Sequence, residues 1–204
     1  MTDDTRPLAR RAAEPSGRDD STGVERRALG RRPVLAGTAA ILGASVAGCL
    51  GGTGQSLDEP AAVPEDATCA VCNMKPAEYP DWNAQLAFDD GERFHFCSPG
   101  CGTAFYADPG RFAEGRSRDA IEGIWFRDYG STELTDGTAA SFVLEMNADR
   151  IDAPMMKNPV PFADRADAVA YVEQYDDLGE DDVVGLDAFD VELAKQFRGR
   201  FFED

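Results

Sequence analysis

Four cysteines arranged in two close pairs are the residues of this chain best suited to chemistry. The first pair has the spacing C-x2-C and the second C-x3-C, with 24 residues between the pairs. The four are Cys69, Cys72, Cys97 and Cys101. Thiolates bind soft metal ions, and cysteines also form or exchange disulfides. The pattern therefore predicts a protein that handles a metal ion or thiols.

Residue types alone leave four explanations of these cysteines open. Structural disulfides are compatible with an exported protein. A zinc ion would accept the four thiolates in a tetrahedral structural site. Thiol–disulfide exchange commonly uses C-x-x-C, although here the motif follows a linker and precedes Pro76 and Pro80 rather than opening a helix. The fourth explanation is a copper(I) site built from some of the cysteines together with methionine.

Thioether side chains near the cysteines favour copper(I) among the metal ions. Met74 follows the first cysteine pair, and Met155 and Met156 lie in a loop flanked by prolines. Methionine sulfur binds monovalent copper and is hardly used for zinc. His95 precedes the third cysteine by two residues in a predicted strand, which makes it a further candidate ligand.

The charge of the chain excludes one class of partner. The sequence has 20 basic and 38 acidic residues, a net charge of −18. Eight of the basic and six of the acidic residues precede Cys49, which leaves 12 and 32, a net of −20, in the rest. Such a surface repels phosphates, so no nucleic acid partner is expected. Charge spread over the whole chain also predicts a halophilic source, with an acidic interaction surface as the alternative.

The N-terminus is predicted to be an export signal. Arg31 and Arg32 directly precede an apolar stretch over 34–47, which has the length of a signal-peptide core and is short for a permanent membrane helix. The paired arginines predict twin-arginine export. Ser-Val-Ala-Gly before Cys49 resembles a lipobox, so we expect a lipid on Cys49 that anchors the protein to the outer face of the cell membrane. An ordinary cleaved signal, with Cys49 incidental, is the alternative.

Three regions follow from this composition. Residues 1–48 are predicted to be a disordered N-terminus and signal peptide, and 49–68 a lipidated cysteine followed by a flexible linker. Residues 69–204 are predicted to form the metal-binding domain. Within it, strands are expected over 83–88, 92–97, 121–129, 141–146, 160–163 and 183–186, and helices over 99–106, 164–175 and 191–197. Strands followed by a helix occur twice, so the predicted class is mixed α+β.

Two segments of the sequence resemble the NosL family. The first runs Cys69-Ala-Val-Cys72-Asn73-Met74, and the second runs Phe94-His95-Phe96-Cys97-Ser98. Between them, Asn83–Phe88 also matches closely. Weaker similarity in the second half comprises Met155, Val160-Pro-Phe162 and the helix Asp164–Tyr175, so that the resemblance covers residues 69 to about 187.

The resemblance implies a function and a fold. NosL proteins are membrane-anchored copper chaperones associated with nitrous oxide reductase, not enzymes. It implies a Cu(I)-binding lipoprotein that passes copper to that enzyme together with an ABC-type assembly complex. It also implies two similar ββαβ units packed into one domain. Its copper ligands would correspond to Cys72, Met74 and Met155, with Cys69 and Cys97 as further candidates.

Two residues depart from the family pattern. Asn73 stands where a glycine is usual, and Cys101 is not typical of the family. The segment from Phe96 to Phe105 instead is similar to small metal-sensing modules of the TRASH and YHS type. These departures imply either one metal ion bound by more sulfurs or a second site, with Cys101, Met156 and His95 as auxiliary candidates.

Two other functions remain as alternatives. An exported thiol oxidoreductase or lyase-like enzyme would use the C-x-x-C pair catalytically. A disulfide- or zinc-stapled interaction domain would use the cysteines for stability alone.

Overall fold

The computed structural model describes residues 57–203. The predicted export signal and the lipidated Cys49 lie outside these described residues. The strands are β1 Ala84–Phe88, β2 Arg93–Phe96, β3 Ile121–Arg127, β4 Leu134–Asp136, β5 Ser141–Glu145, β6 Asn158–Phe162 and β7 Val183–Gly185. The α-helices are α1 Pro99–Ala107, α2 Pro109–Phe112, α3 Arg165–Val172 and α4 Val191–Arg198. Between residues 57 and 203, none of the helices has the length and hydrophobicity that crossing a membrane requires.

The strands form two antiparallel sheets with matching topology. The first sheet has the order β2-β1-β3-β4 and the second β6-β5-β7. In each sheet a pair of antiparallel strands precedes a helix, and the strand after that helix pairs with the free side of the first strand. The described chain therefore contains two ββαβ units, β1-β2-α1-β3 and β5-β6-α3-β7. This confirms the predicted mixed α+β class, with β4 as an additional edge strand.

Local signals place the first hairpin and the first helix as predicted. Gly91, in the turn between β1 and β2, has φ +90°, which a residue without a Cβ adopts at little cost. Ser98 is the N-cap of α1, where its Oγ accepts a hydrogen bond from the backbone N–H of Cys101, and Pro99 is the first helical residue. Cys101 is therefore held in the first turn of α1.

Aromatic packing fixes α1 against the first sheet. Phe105 lies four residues after Cys101, so both side chains lie on the same face of the helix. Phe105 is fully buried, and its ring centroid lies 4.8 to 6.3 Å from those of four other phenylalanines. These are Phe88, Phe94, Phe96 and Phe112. Burial of Phe105 therefore brings Cys101 into the protein interior as well.

The two ββαβ units share part of their core. Phe126 of β3 and Phe142 of β5 meet edge to face, with ring centroids 5.0 Å apart. The backbone N–H of Tyr129 donates to the carbonyl oxygen of Pro161 in β6 at 2.8 Å. These contacts join β3 and the residue pair after it to β5 and β6 of the second unit.

Some element boundaries differ from the prediction for identifiable reasons. β6 begins at Asn158 rather than at residue 160 and includes Pro159 and Pro161. Proline has no backbone N–H, and β6 tolerates it because an edge strand needs N–H donors on only one of its two sides. α3 ends at Val172 rather than at 175. The N–H of Glu173 still bonds four residues back, but those of Gln174 and Tyr175 bond three residues back and tighten the turn. The short helix α2 and strand β4 were not predicted.

Candidate metal centre

The first cysteine pair lies in a tight loop formed by residues 69–74, called the cysteine loop below. The backbone N–H of Cys69 donates to the carbonyl oxygen of Met74 at 2.7 Å, and the N–H of Asn73 donates to the carbonyl oxygen of Cys69 at 2.9 Å. Asn73 has φ +62°, a left-handed conformation that asparagine tolerates better than most residues. Asn73 therefore takes the conformation that a glycine would provide at this position.

The cysteine loop is attached to the strand that leads to the second pair. The N–H of Ala70 donates to the carbonyl oxygen of His95 at 3.2 Å, and Cys69 forms an isolated parallel bridge with His95. Cys97 follows directly after β2, and Cys101 is the third residue of α1. This main-chain pairing of the cysteine loop with β2 thus brings the two cysteine pairs together.

The four sulfur atoms form one compact group, called the cysteine cluster below. All four Sγ atoms lie within 4.8 Å of one another. The Sγ of Cys97 is 3.3 Å from that of Cys72 and 3.9 Å from that of Cys101. Sulfurs bound tetrahedrally at ~2.3 Å from one ion lie about 3.8 Å apart, so the spacing matches a metal–thiolate site.

Burial divides the cluster into an inner and an outer part. Cys69, Cys97 and Cys101 are fully buried, whereas Cys72 is half-buried. All four are free cysteines. The cluster is therefore a set of free thiols that solvent reaches from the side of Cys72.

A buried arginine from the C-terminal helix completes the cluster. Arg198 is 1% exposed, and its Nε donates to the Sγ of Cys101 at 3.3 Å. Its other N–H groups donate to the Oγ of Ser98 at 2.8 Å and to the carbonyl oxygens of Lys157 and Phe197. Within residues 57–203, Arg198 has no carboxylate partner. Because a buried charge needs compensation, the sulfurs are the natural counter-charge of Arg198.

Hydrogen bonding inside the cluster separates the acidities of the thiols. Hydrogen bonds with Cys69, Cys72 and Cys97 hold the pKa of Cys101 well below its ordinary value despite burial, and the charge of Arg198 acts in the same direction. Hydrogen bonding to Cys101 raises the pKa values of Cys69 and Cys97. For Cys72, the hydrogen bond with Cys101 raises the pKa, but those with Cys69 and Cys97 lower it, and the net shift is downward.

Asn158 connects the cluster to the methionine loop of the second unit. This side chain is fully buried, and its Oδ1 accepts from the backbone N–H of Gly100 at 3.0 Å and from Arg198 at 2.5 Å. Its Nδ2 donates to the carbonyl oxygens of Pro154 and Met156 at 2.9 and 3.0 Å. One amide thus fixes the loop at 154–157, the start of α1 and the guanidinium that touches Cys101.

The candidate methionines occupy different surroundings. Met74 and Met155 are half-buried and pack against the hydrophobic core that contains Cys69. Met155 and Met156 both have φ +67°, a strained conformation for residues with a side chain, and Met156 is 69% exposed. Arg200 donates to the Sδ of Met155 at 3.6 Å. Their assignment as ligands stays a prediction.

His95 lies outside the cysteine cluster. β2 ends at Phe96, so the two-residue alternation that would bring His95 and Cys97 to one face does not continue to Cys97. In the described part of the chain, the Nδ1 of His95 is buried and has no hydrogen-bond partner. Burial lowers its pKa, and the charge of Arg93 adds to that shift. The sequence did not indicate Arg198 or Asn158 as site residues, because no local motif surrounds them. Gly100 lies within the C-x3-C motif but has no side chain that would have marked it.

The chain belongs to the NosL family, whose family model matches residues 60–180. No curated protein shows significant similarity to the chain. Among solved structures, its fold is similar to the crystal structure of the copper chaperone NosL from Shewanella denitrificans, with a TM-score of 0.53 and 19% sequence identity. The similarity covers 65% of this chain and 96% of that chain. These findings confirm the predicted family and fold, and helix α4 with Arg198 lies beyond the residues that the family model matches.

Proposed function

We propose that this protein is an exported Cu(I) chaperone, anchored by a lipid at Cys49, that delivers copper during maturation of nitrous oxide reductase. The observation that carries the proposal is the group of four thiol sulfurs within 4.8 Å of one another. Membership of the NosL family supports it, as does a fold shared with a protein described as a copper chaperone.

The donor set suits Cu(I). Thiolates and thioethers are soft ligands that favour monovalent copper over harder ions. Met74 and Met155 pack against the core around the cysteines, so each is a candidate to complete a site with Cys72. Burial of Cys69, Cys97 and Cys101 would shield the bound ion from water.

Partial exposure of the cluster suits release of the ion. Cys72 is the half-buried member, so a ligand from a partner would approach the copper ion beside it. Cu(I) accepts a third or fourth soft ligand readily, so the incoming ligand would bind before a cysteine leaves. This role needs transfer without a chemical reaction, so we do not expect enzymatic turnover.

The proposed location and recipient come from the sequence. The paired Arg31 and Arg32, the apolar stretch over 34–47 and Cys49 support export and lipid anchoring. The NosL resemblance supports nitrous oxide reductase, with its ABC-type assembly complex, as the recipient.

A structural zinc site is the second candidate. It is favoured by the observation that four cysteines alone supply a complete tetrahedral set without any methionine. A structural site of this kind would stabilise the fold and would not exchange its ion with partners.

The test is a competition titration of the reduced protein with Cu(I) against a chromophoric chelator, with Zn(II) in parallel. We expect about one Cu(I) to be bound tightly per chain, as soft-ligand selection requires. Replacing Cys72 and Met74 together by Ser and Leu should weaken Cu(I) binding, whereas Met146→Leu, outside the candidate ligand set, should not. Unchanged Cu(I) affinity in the double variant would show the ligand assignment to be wrong. Zinc binding without copper binding would leave the structural site as the explanation.

A further inference from the structure

A groove of ≈ 610 Å³ lies between α4 and the methionine loop. Three of the chain's five methionines line it, together with Phe197 and Phe201. The three are Met146, Met155 and Met156. We call this surface the methionine groove. Met146 is 43% and Met156 69% exposed, and these are the exposed large hydrophobic side chains of the described residues. Exposed apolar side chains concentrated in one concavity are typical of binding surfaces.

The charge of the methionine groove is opposite to that of the protein. Its lining includes four basic residues and no Asp or Glu, although the chain carries a net charge of −18. The four are Lys157, Lys195, Arg198 and Arg200. Two of the chain's three lysines lie here. Lys157 forms no ion pair within the described residues, whereas Lys195 pairs with the exposed Glu192 at 2.8 Å.

The methionine groove is also adjacent to the cysteine cluster. Arg198 lines the groove and donates to the Sγ of Cys101. The Nδ2 of Asn158 donates to the carbonyl oxygen of Met156, and its Oδ1 accepts a hydrogen bond from Arg198. A molecule bound in the groove would therefore lie one side chain away from the cluster.

We propose that the methionine groove docks an acidic segment of a partner protein. The accessible cations of the lining, Lys157, Lys195 and Arg200, would attract carboxylates, and methionine side chains adapt to varied apolar surfaces. A second copy of this chain is a poorer occupant, because a two-fold interface would place the basic groove against itself. If the proposed copper chaperone function holds, this partner would be the protein that gives or takes the ion; the docking itself does not depend on that function.

The test follows the methionine methyl groups by NMR in the reduced, metal-free full chain at moderate ionic strength, where the Debye length is about 8 Å. The probe is a hexapeptide of four glutamates and two methionines, and its control replaces the glutamates by glutamine. We expect the glutamate peptide to shift the signals of Met146, Met155 and Met156 while Met74 stays unchanged. The glutamine peptide should leave all of them unchanged at the same concentration.

Charge reversal supplies a matched control. Lys157→Glu combined with Lys195→Glu should weaken peptide binding by about tenfold or more. Lys75→Glu changes the third lysine, outside the groove, and should leave binding within about twofold. Cu(I) binding by the double variant should be unchanged, so loss of peptide binding and failure of the copper function are separate results.

Three results would overturn the proposal. One is no methyl shift, or equal shifts with both peptides. Another is a set of shifts in the same methyl groups on concentrating the protein alone, which would identify a second copy as the occupant. The third is a response to vesicles of anionic phospholipid but not to the peptide, which would identify a membrane surface.

Discussion

The Nε of Arg198 lies 3.3 Å from the Sγ of Cys101, although 97 residues separate them in the sequence. Arg198 is buried and has no carboxylate partner within residues 57–203, so the sulfurs are its counter-charge. Thiolates bound to Cu(I) outnumber its single positive charge, and the guanidinium would offset the net negative charge of the site. The helix that supplies Arg198 follows the residues matched by the family model. The contact between Arg198 and Cys101 therefore involves a residue outside the segment that identifies the family.

Replacing Arg198 by methionine should reduce the stabilisation that a bound metal ion gives. Three or four thiolates around Cu(I) would carry a charge of −2 or −3, whereas hydrogen bonding in the metal-free cluster raises the pKa values of Cys69 and Cys97 and favours their neutral forms. The loaded form therefore gains more from the arginine. Metal binding raises the free energy of unfolding, and we expect this rise to be smaller by about 1–3 kcal/mol in the variant than in the original protein. Arg198→Lys keeps the charge and should retain part of the difference. Thermal unfolding of both forms measures it, and an equal decrease in both forms would mean that Arg198 acts only through packing.

Replacing Gly100 by alanine should displace Arg198 from the cluster. A Cβ at this position would lie 2.6 Å from the Nη2 of Arg198 and 2.9 Å from the Oδ1 of Asn158, closer than real Cβ contacts. We expect a loss of stability of about 1–3 kcal/mol together with weaker Cu(I) binding. Gly199→Ala is the control, because a Cβ there meets nothing within 4 Å. Urea unfolding and the copper competition assay provide the measurements, and identical behaviour of the two variants would contradict this account.

The sequence predicted the parts of the site that depend on local structure. The hairpin turn at 89–91 and the cap at Ser98 follow from residue preferences within a few positions, and they place Cys97 and Cys101 correctly beside each other. The contacts of Arg198 and Asn158 join elements far apart in the chain, and no periodicity signals them. The expectation for His95 assumed a strand extending to residue 97; β2 ends at Phe96 and His95 lies outside the four-sulfur group, and its role as a ligand stays a prediction.

Cys72 should be the first thiol of the cluster to react with iodoacetamide. It is half-buried and its pKa is lowered, whereas the other three cysteines are fully buried. Thiol reactivity follows exposure and thiolate character, so one cysteine of the cluster should be modified well before the rest. Peptide mapping by mass spectrometry identifies the modified residue in reduced, metal-free protein. Cu(I) should protect Cys72, and Cys72→Ser should abolish the fast phase. Equally fast modification of Cys69 or Cys97 would show that the cluster opens as a whole.

The conformation of Asn73 should determine how well the cysteine loop holds its sulfurs. With φ +62°, this position accepts glycine without strain, whereas a β-branched side chain is disfavoured there. Asn73→Gly should therefore keep both stability and Cu(I) affinity, and Asn73→Val should lower the free energy of unfolding by about 1–2 kcal/mol. The valine variant should also bind copper more weakly, because strain would loosen the bonds between Cys69, Asn73 and Met74 that close the loop. Lys75→Val is the matched control, since Lys75 is exposed and has φ −87°. Urea unfolding and the competition titration measure the two effects, and equal values for both valine variants would mean that the loop does not require the left-handed conformation at residue 73.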